Sequence, residues 1–327
     1  MLRAIYTQMN LLEIRNLIKH YPVRRGLFSR ISGTLKAVDD VSFAVHSGET
    51  FGLVGESGCG KTTLARCILR LIEPTSGEIL FGGQNVLQFS NSEMRAIRRR
   101  MQMIFQDPYG SLNPRMKAAT IIEEPLVIHK IGDKNQRADQ VDELMKMVGL
   151  DPAYKKHYPH EFSGGQRQRI GIARALALRP DLIVADEPVS ALDVSVQAQI
   201  INLLKDLQEK LQLTFVFIAH DLSVVQHFSD RIAVMYLGKI VELASSVELF
   251  QKPQHPYTRL LLNSVPIAEP AARKRKEPMK GEVPSAIEHP SGCSFHPRCP
   301  IAVDRCKTEL PALREITPDH HAACHLA

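Results

Sequence analysis

The stretch GESGCGKTT (Gly55–Thr63) decides the fold. It follows the apolar run FGLV and fits the pattern G-x-x-x-x-G-K-[ST], a phosphate-binding loop between a strand and a helix. Its glycines let the backbone curl so that N–H groups face a phosphate, and the following helix adds the positive end of its dipole. Lys61 can reach the β- and γ-phosphates, and the hydroxyl of Thr62 can ligate Mg²⁺. The Lys-Thr pair distinguishes this loop from an ordinary glycine-rich turn.

The acidic half of such a site is expected at the end of another buried strand, and the stretch DLIVADEP supplies it. Asp186 comes directly after four apolar residues, where its carboxylate can hold Mg²⁺ directly or through water. Glu187 beside it is the predicted general base that activates the attacking water. A carboxylate pair at a strand end can also be a solvated turn, but the phosphate loop in the same chain favours the catalytic interpretation.

Short apolar runs predict buried strands, namely TFGLVG near 50, MQMIF near 101, LIVAD at 182 and TFVFIAH at 214. Helical patterns such as SVQAQIINLLKDLQEKLQ lie between them, with apolar residues at three- and four-residue spacing. This alternation predicts an α/β fold with a mainly parallel sheet core. The stretch from about 90 to 175 predicts a helical subdomain, and the proline-rich stretch around 266 to 290 predicts an exposed linker.

Composition excludes little by itself. The 327 residues carry a net charge of +6 from 41 basic and 35 acidic side chains, which would suit an anionic membrane face or a nucleic acid, but charge alone favours a mildly basic solvated surface over either. Aromatic residues are only 6%, with no tryptophan, so no nucleic-acid partner is expected. The N-terminus lacks the apolar core of a signal peptide, and no apolar run approaches the roughly 18 residues of a membrane span. A cytosolic chain with reduced cysteines is therefore expected.

The stretch FSGGQRQRIGIARAL (162–176), shortly ahead of the Asp-Glu strand, resembles the signature of ABC-type ATPases. Three further family elements are also present in order: Gln106 resembles the Q-loop glutamine, Asp193 the D-loop aspartate and His220 the switch histidine. The resemblance implies a P-loop NTPase of ABC type, with a helical subdomain and a small Cys-containing C-terminal region. A P-loop kinase would leave this signature without a purpose.

The resemblance also implies the cofactors and the roles of site residues. ATP and Mg²⁺ are the expected ligands, with Glu187, His220 and Gln106 catalytic. Mg²⁺ would be held by Thr62, Gln106 and Asp186. Nucleotide contacts are expected from Tyr21, Gly55, Glu56, Ser57, Gly58, Cys59, Gly60, Lys61, Thr62 and Thr63. Tyr21 is placed like the family's adenine-stacking aromatic residue, although a tyrosine there can equally cap the sheet edge.

In this family the signature of one subunit covers the nucleotide on the loop of another, so that ATP joins two subunits head to tail and hydrolysis separates them. Here the signature residues are Ser163, Gly164, Gly165 and Gln166. Ser and Gly at a helix start can bind an anion through N–H groups and a hydroxyl. A paralogue is the favoured partner over a second copy.

Three stretches, KHYPVRRGLF, PYGSLNPR and HPYTRLLLNSVP, resemble the ATP-binding subunits of bacterial dipeptide and oligopeptide importers, whose close relatives carry nickel or glutathione. The resemblance implies an ABC ATPase domain over 1–250 and a C-terminal importer-type region over 251–327. It also implies two transmembrane permease subunits, an extracytoplasmic substrate-binding protein and a peripheral position on the cytoplasmic face of the inner membrane. The segment Asp107 to Pro125 is the candidate permease-docking groove, or else an ordinary connecting loop. A soluble ABC-type ATPase acting on ribosomes or nucleic acid is the alternative.

Of the six cysteines, Cys59 and Cys67 are expected to be small buried packing residues. The other four are Cys293, Cys299, Cys306 and Cys324. No C-x-x-C pair occurs among them, which disfavours a zinc ribbon, although His296, His320, His321 and His325 keep a mixed Cys/His zinc site open. Four thiolates from separate loops can also hold a [4Fe–4S] cluster. The pattern resembles the cluster-binding region of the importer subunits, so the cluster is favoured over zinc and over four idle thiols.

Overall fold

A computed structural model describes residues 10–25, 30–107, 109–264, 284–285, 287 and 289–327. Of the predicted linker around 266–290, only 284–285, 287 and 289–290 are among them. The predicted strand positions near 50, 101, 182 and 214 are confirmed. The strands are β1 Asn10–Arg25, β2 Arg30–His46, β3 Thr50–Val54, β4 Ser76–Phe81, β5 Gln84–Asn85, β6 Met101–Ile104, β7 Leu182–Asp186, β8 Thr214–Ala219, β9 Arg231–Tyr236, β10 Lys239–Ser245, β11 Arg314–Thr317 and β12 His320–Ala322.

Helices alternate with the central strands, as the sequence predicts. The helices are α1 Lys61–Ile68, α2 Asn91–Ile97, α3 Ala118–Ile128, α4 Lys134–Met147, α5 Gly164–Leu176, α6 Val194–Leu211, α7 Leu222–Phe228, α8 Ser246–Gln251, α9 Pro256–Ser264 and α10 Asp304–Thr308. Nowhere in the described part of the chain does a helix have the length and apolar character needed to cross a membrane.

One compact unit contains residues 89–218. Its sheet is parallel: β6 pairs with β7 from Met101 opposite Leu182, and β7 pairs with β8 from Leu182 opposite Thr214. Every residue of β7 and β8 is buried, which explains their continuous apolar sequence. Helix α6 buries Ile200, Leu204 and Leu207, the face that the three- and four-residue spacing predicts.

Helices α2 to α5 and strand β6 fall within the stretch from 90 to 175. Three of these helices begin with a capping box in which the N-cap side chain and the third helical residue exchange hydrogen bonds: Ser90 caps α2, Asp133 caps α4, and Ser163 caps α5. An ion pair joins α4 to α3, with Arg137 Nε 2.8 Å from the carboxylate of Glu123. These local interactions stabilise the individual helices and the pairing of α3 with α4.

The other unit contains residues 8–88 and 219–327, described from Asn10 onward. One of its sheets is antiparallel, in the order β2-β1-β4-β5. In the second, β3 pairs in parallel with β9, while β9, β10, β12 and β11 follow as antiparallel neighbours. The α/β class is confirmed, and the second of these sheets is mixed, because antiparallel strands follow its parallel pair. Strand β12 brings the end of the chain onto β10, within the unit that carries the phosphate loop.

Candidate active site

The phosphate loop runs from β3 to α1, as its sequence predicts. Gly60 has φ +109°, and a Cβ built there would overlap the carbonyl oxygen of Ala37. A Cβ at Gly55 would likewise overlap the carbonyl oxygen of Met235. Two neighbouring backbone segments therefore press against the loop, and a residue with a side chain does not fit at either position. The loop is shaped by packing as well as by its own sequence.

Lys61 opens helix α1, and its side chain turns back over the loop. Its ammonium group donates to the carbonyl oxygens of Gly55 at 2.8 Å and Glu56 at 3.1 Å, and the residue is only 4% exposed. A buried ammonium at the start of a helix makes a concentrated positive site. Such a site is suited to the phosphates of a nucleotide, and Thr62 and Thr63 follow it in the first turn of α1.

The acidic pair lies at the end of β7. Asp186 is the last residue of this strand and is 2% exposed. Glu187 has φ +44°, a left-handed conformation that is uncommon for residues other than glycine. Its N–H donates to the carbonyl oxygen of Ile218 at 3.0 Å, which ties the turn to β8.

Gln106 meets Glu187 directly. The Gln106 amide donates through Nε2 to a carboxylate oxygen of Glu187 at 3.0 Å, so two of the predicted catalytic side chains lie together. A glutamine in this position can orient the carboxylate while its own amide oxygen stays an acceptor. The predicted Mg²⁺ donors are all oxygen atoms, from the Thr62 hydroxyl, the Gln106 amide and the Asp186 carboxylate. Their chemistry fits Mg²⁺, which binds oxygen ligands.

The signature forms the start of α5. Ser163 Oγ accepts the N–H of Gln166 at 3.3 Å, and Gln166 Oε1 accepts the N–H of Ser163 at 2.9 Å. A Cβ at Gly165 would lie 2.6 Å from a methyl carbon of Val196, so glycine is required there by the packing of α5 against α6. The result is a capped, exposed helix start, where a hydroxyl and backbone N–H groups can bind an anion.

Three other predicted residues are at least partly exposed. His220 follows β8 and is exposed, and Asp193 is exposed at the N-cap position of α6 without capping it through its side chain. Tyr21 lies in β1 and is partly exposed, with the ammonium of Lys19 4.7 Å from its ring centre. One face of the Tyr21 ring is therefore covered by an ammonium group.

Two residues that touch the loop were missed from sequence. The hydroxyl of Tyr257 accepts the N–H of Glu56 at 2.9 Å, and the guanidinium of Arg298 pairs with the Glu56 carboxylate at 2.8 Å. Tyr257 stands in the stretch HPYTRLLLNSVP, which indicated only the subfamily, and Arg298 stands between two of the cysteines. Neither stretch contains a local signal for contact with a phosphate loop.

The four C-terminal cysteines line one pocket. Its other polar lining residues are His255, His296 and His325, in a pocket that also contains Pro256, Phe295 and Leu326. Burial raises the pKa of Cys293 to about 11, with the neighbouring thiol of Cys306 adding to the shift, and burial lowers the pKa of His255 to about 3. Soft thiol donors of this kind suit an iron–sulfur cluster or zinc. In the described residues, however, no three His, Cys, Asp or Glu side chains are arranged to hold a metal ion.

Not all of the histidines that kept a zinc site open in the sequence line the cysteine pocket. His296 and His325 line the pocket, whereas His320 is buried away from it and lies 2.7 Å from the carboxylate of Glu242. His255, which the sequence did not single out, is a lining residue instead. Cys59 and Cys67 are buried at 4% and 0% exposure, as predicted for packing residues.

Two known families match this chain. The ABC transporter family matches residues 38–190, and the oligopeptide/dipeptide transporter C-terminal region matches residues 241–306. The fold and the site thus define an ABC-type ATPase. The chain is 53% identical over 322 residues, 98% of each chain, to the oligopeptide transport ATP-binding protein AppF of Bacillus subtilis (strain 168). It belongs to the ABC transporter family, in the group of oligopeptide/dipeptide ATP-binding subunits.

Other comparisons agree. A putative peptide import ATP-binding protein of Brucella ovis is 55% identical over 318 residues, covering 97% of this chain and 98% of the relative. A solved dimeric ATP-binding cassette in a post-hydrolysis state, bound to ADP and Pi, has a TM-score of 0.64 and 32% identity, and covers 72% of this chain and 98% of that one. The resemblance drawn from sequence is confirmed, and these relatives do not favour a ribosomal or nucleic-acid ATPase.

Proposed function

We propose that this chain is the ATP-hydrolysing subunit of an importer for dipeptides or oligopeptides. The observation that carries the proposal is similarity along the whole chain, through both the ATPase cassette and the C-terminal region, to proteins named for peptide transport. A cassette match alone would indicate only an ATPase that powers some transporter. Nickel or glutathione is the alternative cargo within the same group.

In this proposal the loop holds the nucleotide and the residues around Glu187 hydrolyse it. Lys61 and the loop N–H groups from Ser57 to Thr63 bind the phosphates, and Tyr21 stacks on adenine. Mg²⁺ would be held by Thr62, Gln106 and Asp186, and it supplies charge neutralisation on the phosphate oxygens. Glu187 accepts the proton of the attacking water, and Gln106 orients it through the 3.0 Å hydrogen bond. His220 acts beside the transferred phosphate.

The signature is proposed to act on the nucleotide of a second ATPase subunit. The capped helix start at Ser163, with Gly164 and Gly165, offers donors that the chain's own phosphate loop does not require. Asp193 belongs to the same subunit contact. Solved relatives that are described as dimeric support a two-subunit arrangement. We favour a paralogue as the partner, with the ATPase domain over 1–250 and the importer-type region over 251–327.

The membrane partners are proposed to dock on the segment from Asp107 to Pro125. Tyr109 is 58% exposed there, with the guanidinium of Arg167 4.9 Å from its ring centre, and Phe105 just before it is 38% exposed. Exposed aromatic rings held by arginines are typical anchors of protein–protein contacts. Two permease subunits, an extracytoplasmic binding protein and a position on the cytoplasmic face of the inner membrane complete the proposed assembly.

Purification of the intact detergent-solubilised complex tests the import function. We expect the chain to co-purify with transmembrane subunits and its ATP hydrolysis to rise on addition of a peptide-loaded binding protein. The unloaded binding protein and a Lys61→Ala complex are the controls. Stimulation by nickel or glutathione instead of peptide would replace the proposed cargo, and co-purification with ribosomes would contradict the transporter assignment.

We also propose that the cysteine pocket holds a [4Fe–4S] cluster, with zinc as the alternative. Four thiols around one pocket, next to a proline-rich connecting stretch, support this proposal. Protein purified anaerobically is expected to absorb near about 400 nm and to contain about four irons per chain. Cys306→Ser should lose both signals, while Cys67→Ala, a buried cysteine outside the pocket, should keep them. Colourless protein loaded with zinc would overturn the cluster.

A further inference from the structure

The phosphate loop is held by residues from the far end of the chain. Glu56, the second residue of the loop, donates its N–H to the Tyr257 hydroxyl at 2.9 Å. Its two carboxylate oxygens accept two parallel hydrogen bonds from Arg298, Nη1 to Oε2 at 2.8 Å and Nη2 to Oε1 at 2.9 Å. Bidentate arginine–carboxylate pairs fix direction as well as distance. The loop is therefore constrained at its second residue in both backbone and side chain.

The surroundings of Arg298 make this pair rigid. Its side chain is 5% exposed, and its guanidinium carbon lies 5.9 Å from the ring centre of Tyr236 and 6.0 Å from that of Phe295. Tyr236, Tyr257 and Phe295 pack on one another with ring centres 4.6 to 5.4 Å apart. These three rings are at most 1% exposed, so the guanidinium fork has a fixed aromatic support.

Glu56 itself is fully engaged with the protein. Its carbonyl oxygen accepts a hydrogen bond from Lys61 at 3.1 Å, in addition to the two contacts above. In the proposed ATP site, an unpaired carboxylate on the phosphate loop would repel the negatively charged phosphates. Pairing with Arg298 removes that repulsion and at the same time anchors the loop.

We propose that Arg298 and Tyr257 are positioning residues for ATP binding, which act through Glu56 to set the shape and charge of the phosphate loop. The C-terminal importer-type region then contributes to ATP binding through these two residues. In this proposal Glu56 supports the loop through its contacts with Tyr257 and Arg298. The inference rests on the proposed ATPase function. It adds two residues outside the cassette motifs to those that ATP binding requires.

The test compares full-length Arg298→Gln, Glu56→Gln, the double variant and Tyr257→Phe with the unmodified chain. Arg305→Gln is the matched control, because its ion pair with Glu309 at 2.7 Å lies on the exposed surface of the same region. ATP affinity is measured by titration with a fluorescent ATP analogue. The KM and kcat of ATP hydrolysis are measured in the assembled transporter, and Tm is measured for each chain.

We expect Arg298→Gln to weaken ATP affinity and raise KM about tenfold, because it leaves the Glu56 charge unpaired beside the phosphates. The kcat value should change less than about twofold, since Glu187 and Gln106 are untouched. Glu56→Gln in the Arg298→Gln background should recover affinity, because no unpaired charge remains. Tyr257→Phe should raise KM about threefold, and Arg305→Gln should match the unmodified chain.

An unchanged KM in both Arg298→Gln and Tyr257→Phe would overturn the inference. A double variant in which the losses of ATP affinity of the two single variants simply add would also overturn it. A lower Tm with unchanged affinity would show a structural role only and would also overturn it. If Arg298→Gln does not fold, Tyr257→Phe, which removes a single acceptor, decides the question. Failure of the unmodified chain to bind ATP would instead refute the proposed function.

Discussion

Glu187→Gln is expected to abolish ATP hydrolysis, with kcat reduced by about 10²- to 10⁴-fold, while ATP still binds with nearly the affinity of the unmodified chain. The carboxylate of Glu187 accepts the amide of Gln106 at 3.0 Å. A glutamine at position 187 keeps an oxygen that can accept this hydrogen bond, so the geometry is retained. The phosphate loop is unchanged, and only the proton acceptor is lost.

Steady-state phosphate release and equilibrium ATP binding measure the two halves of this prediction. Glu143→Gln, an exposed change of the same kind on α4, is the matched control and should hydrolyse normally. Turnover near that of the unmodified chain in Glu187→Gln would remove this residue from the role of general base. Loss of ATP binding would show that it holds the nucleotide instead.

Ser163→Arg is expected to eliminate cooperative hydrolysis and ATP-dependent association of the subunits without preventing ATP binding at Lys61. The change removes the hydroxyl that accepts the Gln166 N–H at 3.3 Å and puts a bulky cation at the exposed start of α5. Capping loss alone costs about 1 kcal/mol of stability. The larger effect comes from steric obstruction of the face proposed to cover the partner's nucleotide.

Ser90→Arg separates the two effects. Ser90 caps α2 with the same capping box, closed by Glu93, so its replacement removes an equivalent cap far from the signature in sequence. We expect a similar loss of stability in both variants but normal cooperativity in Ser90→Arg. One readout is the Hill coefficient of ATP hydrolysis. The other is the ATP-dependent association of the subunits, measured by light scattering in a Glu187→Gln background. Cooperative hydrolysis that survives in Ser163→Arg would contradict the head-to-tail arrangement.

Much of the site was predictable because its elements are local. The strand before Gly55, the helix after Gly60 and the buried end of β7 at Asp186 all follow from short runs of apolar and glycine residues. The hydrogen bond between Gln106 and Glu187 was also within reach, since parallel strands β6 and β7 place their carboxyl ends side by side. The capping box at Ser163 is readable from Ser and Gln at their spacing.

The C-terminal region was predictable only in part. Sequence brought out the four cysteines and some of the histidines, and the structure lines one pocket with all four thiols. The sequence could not show which histidines line the pocket, because their positions depend on tertiary partners. His320 contacts Glu242, and His255 enters the pocket from the start of α9.

The sequence by itself determined the class of protein, because each ATPase motif is a short stretch whose backbone conformation and chemistry are set by adjacent residues. Only the tertiary structure decided how the phosphate loop is held. Glu56 and Arg298 are separated by 242 positions, and Glu56 and Tyr257 by 201. Contacts over such separations depend on packing of a whole unit around Tyr236 and Phe295, and no periodicity or spacing along the chain encodes them.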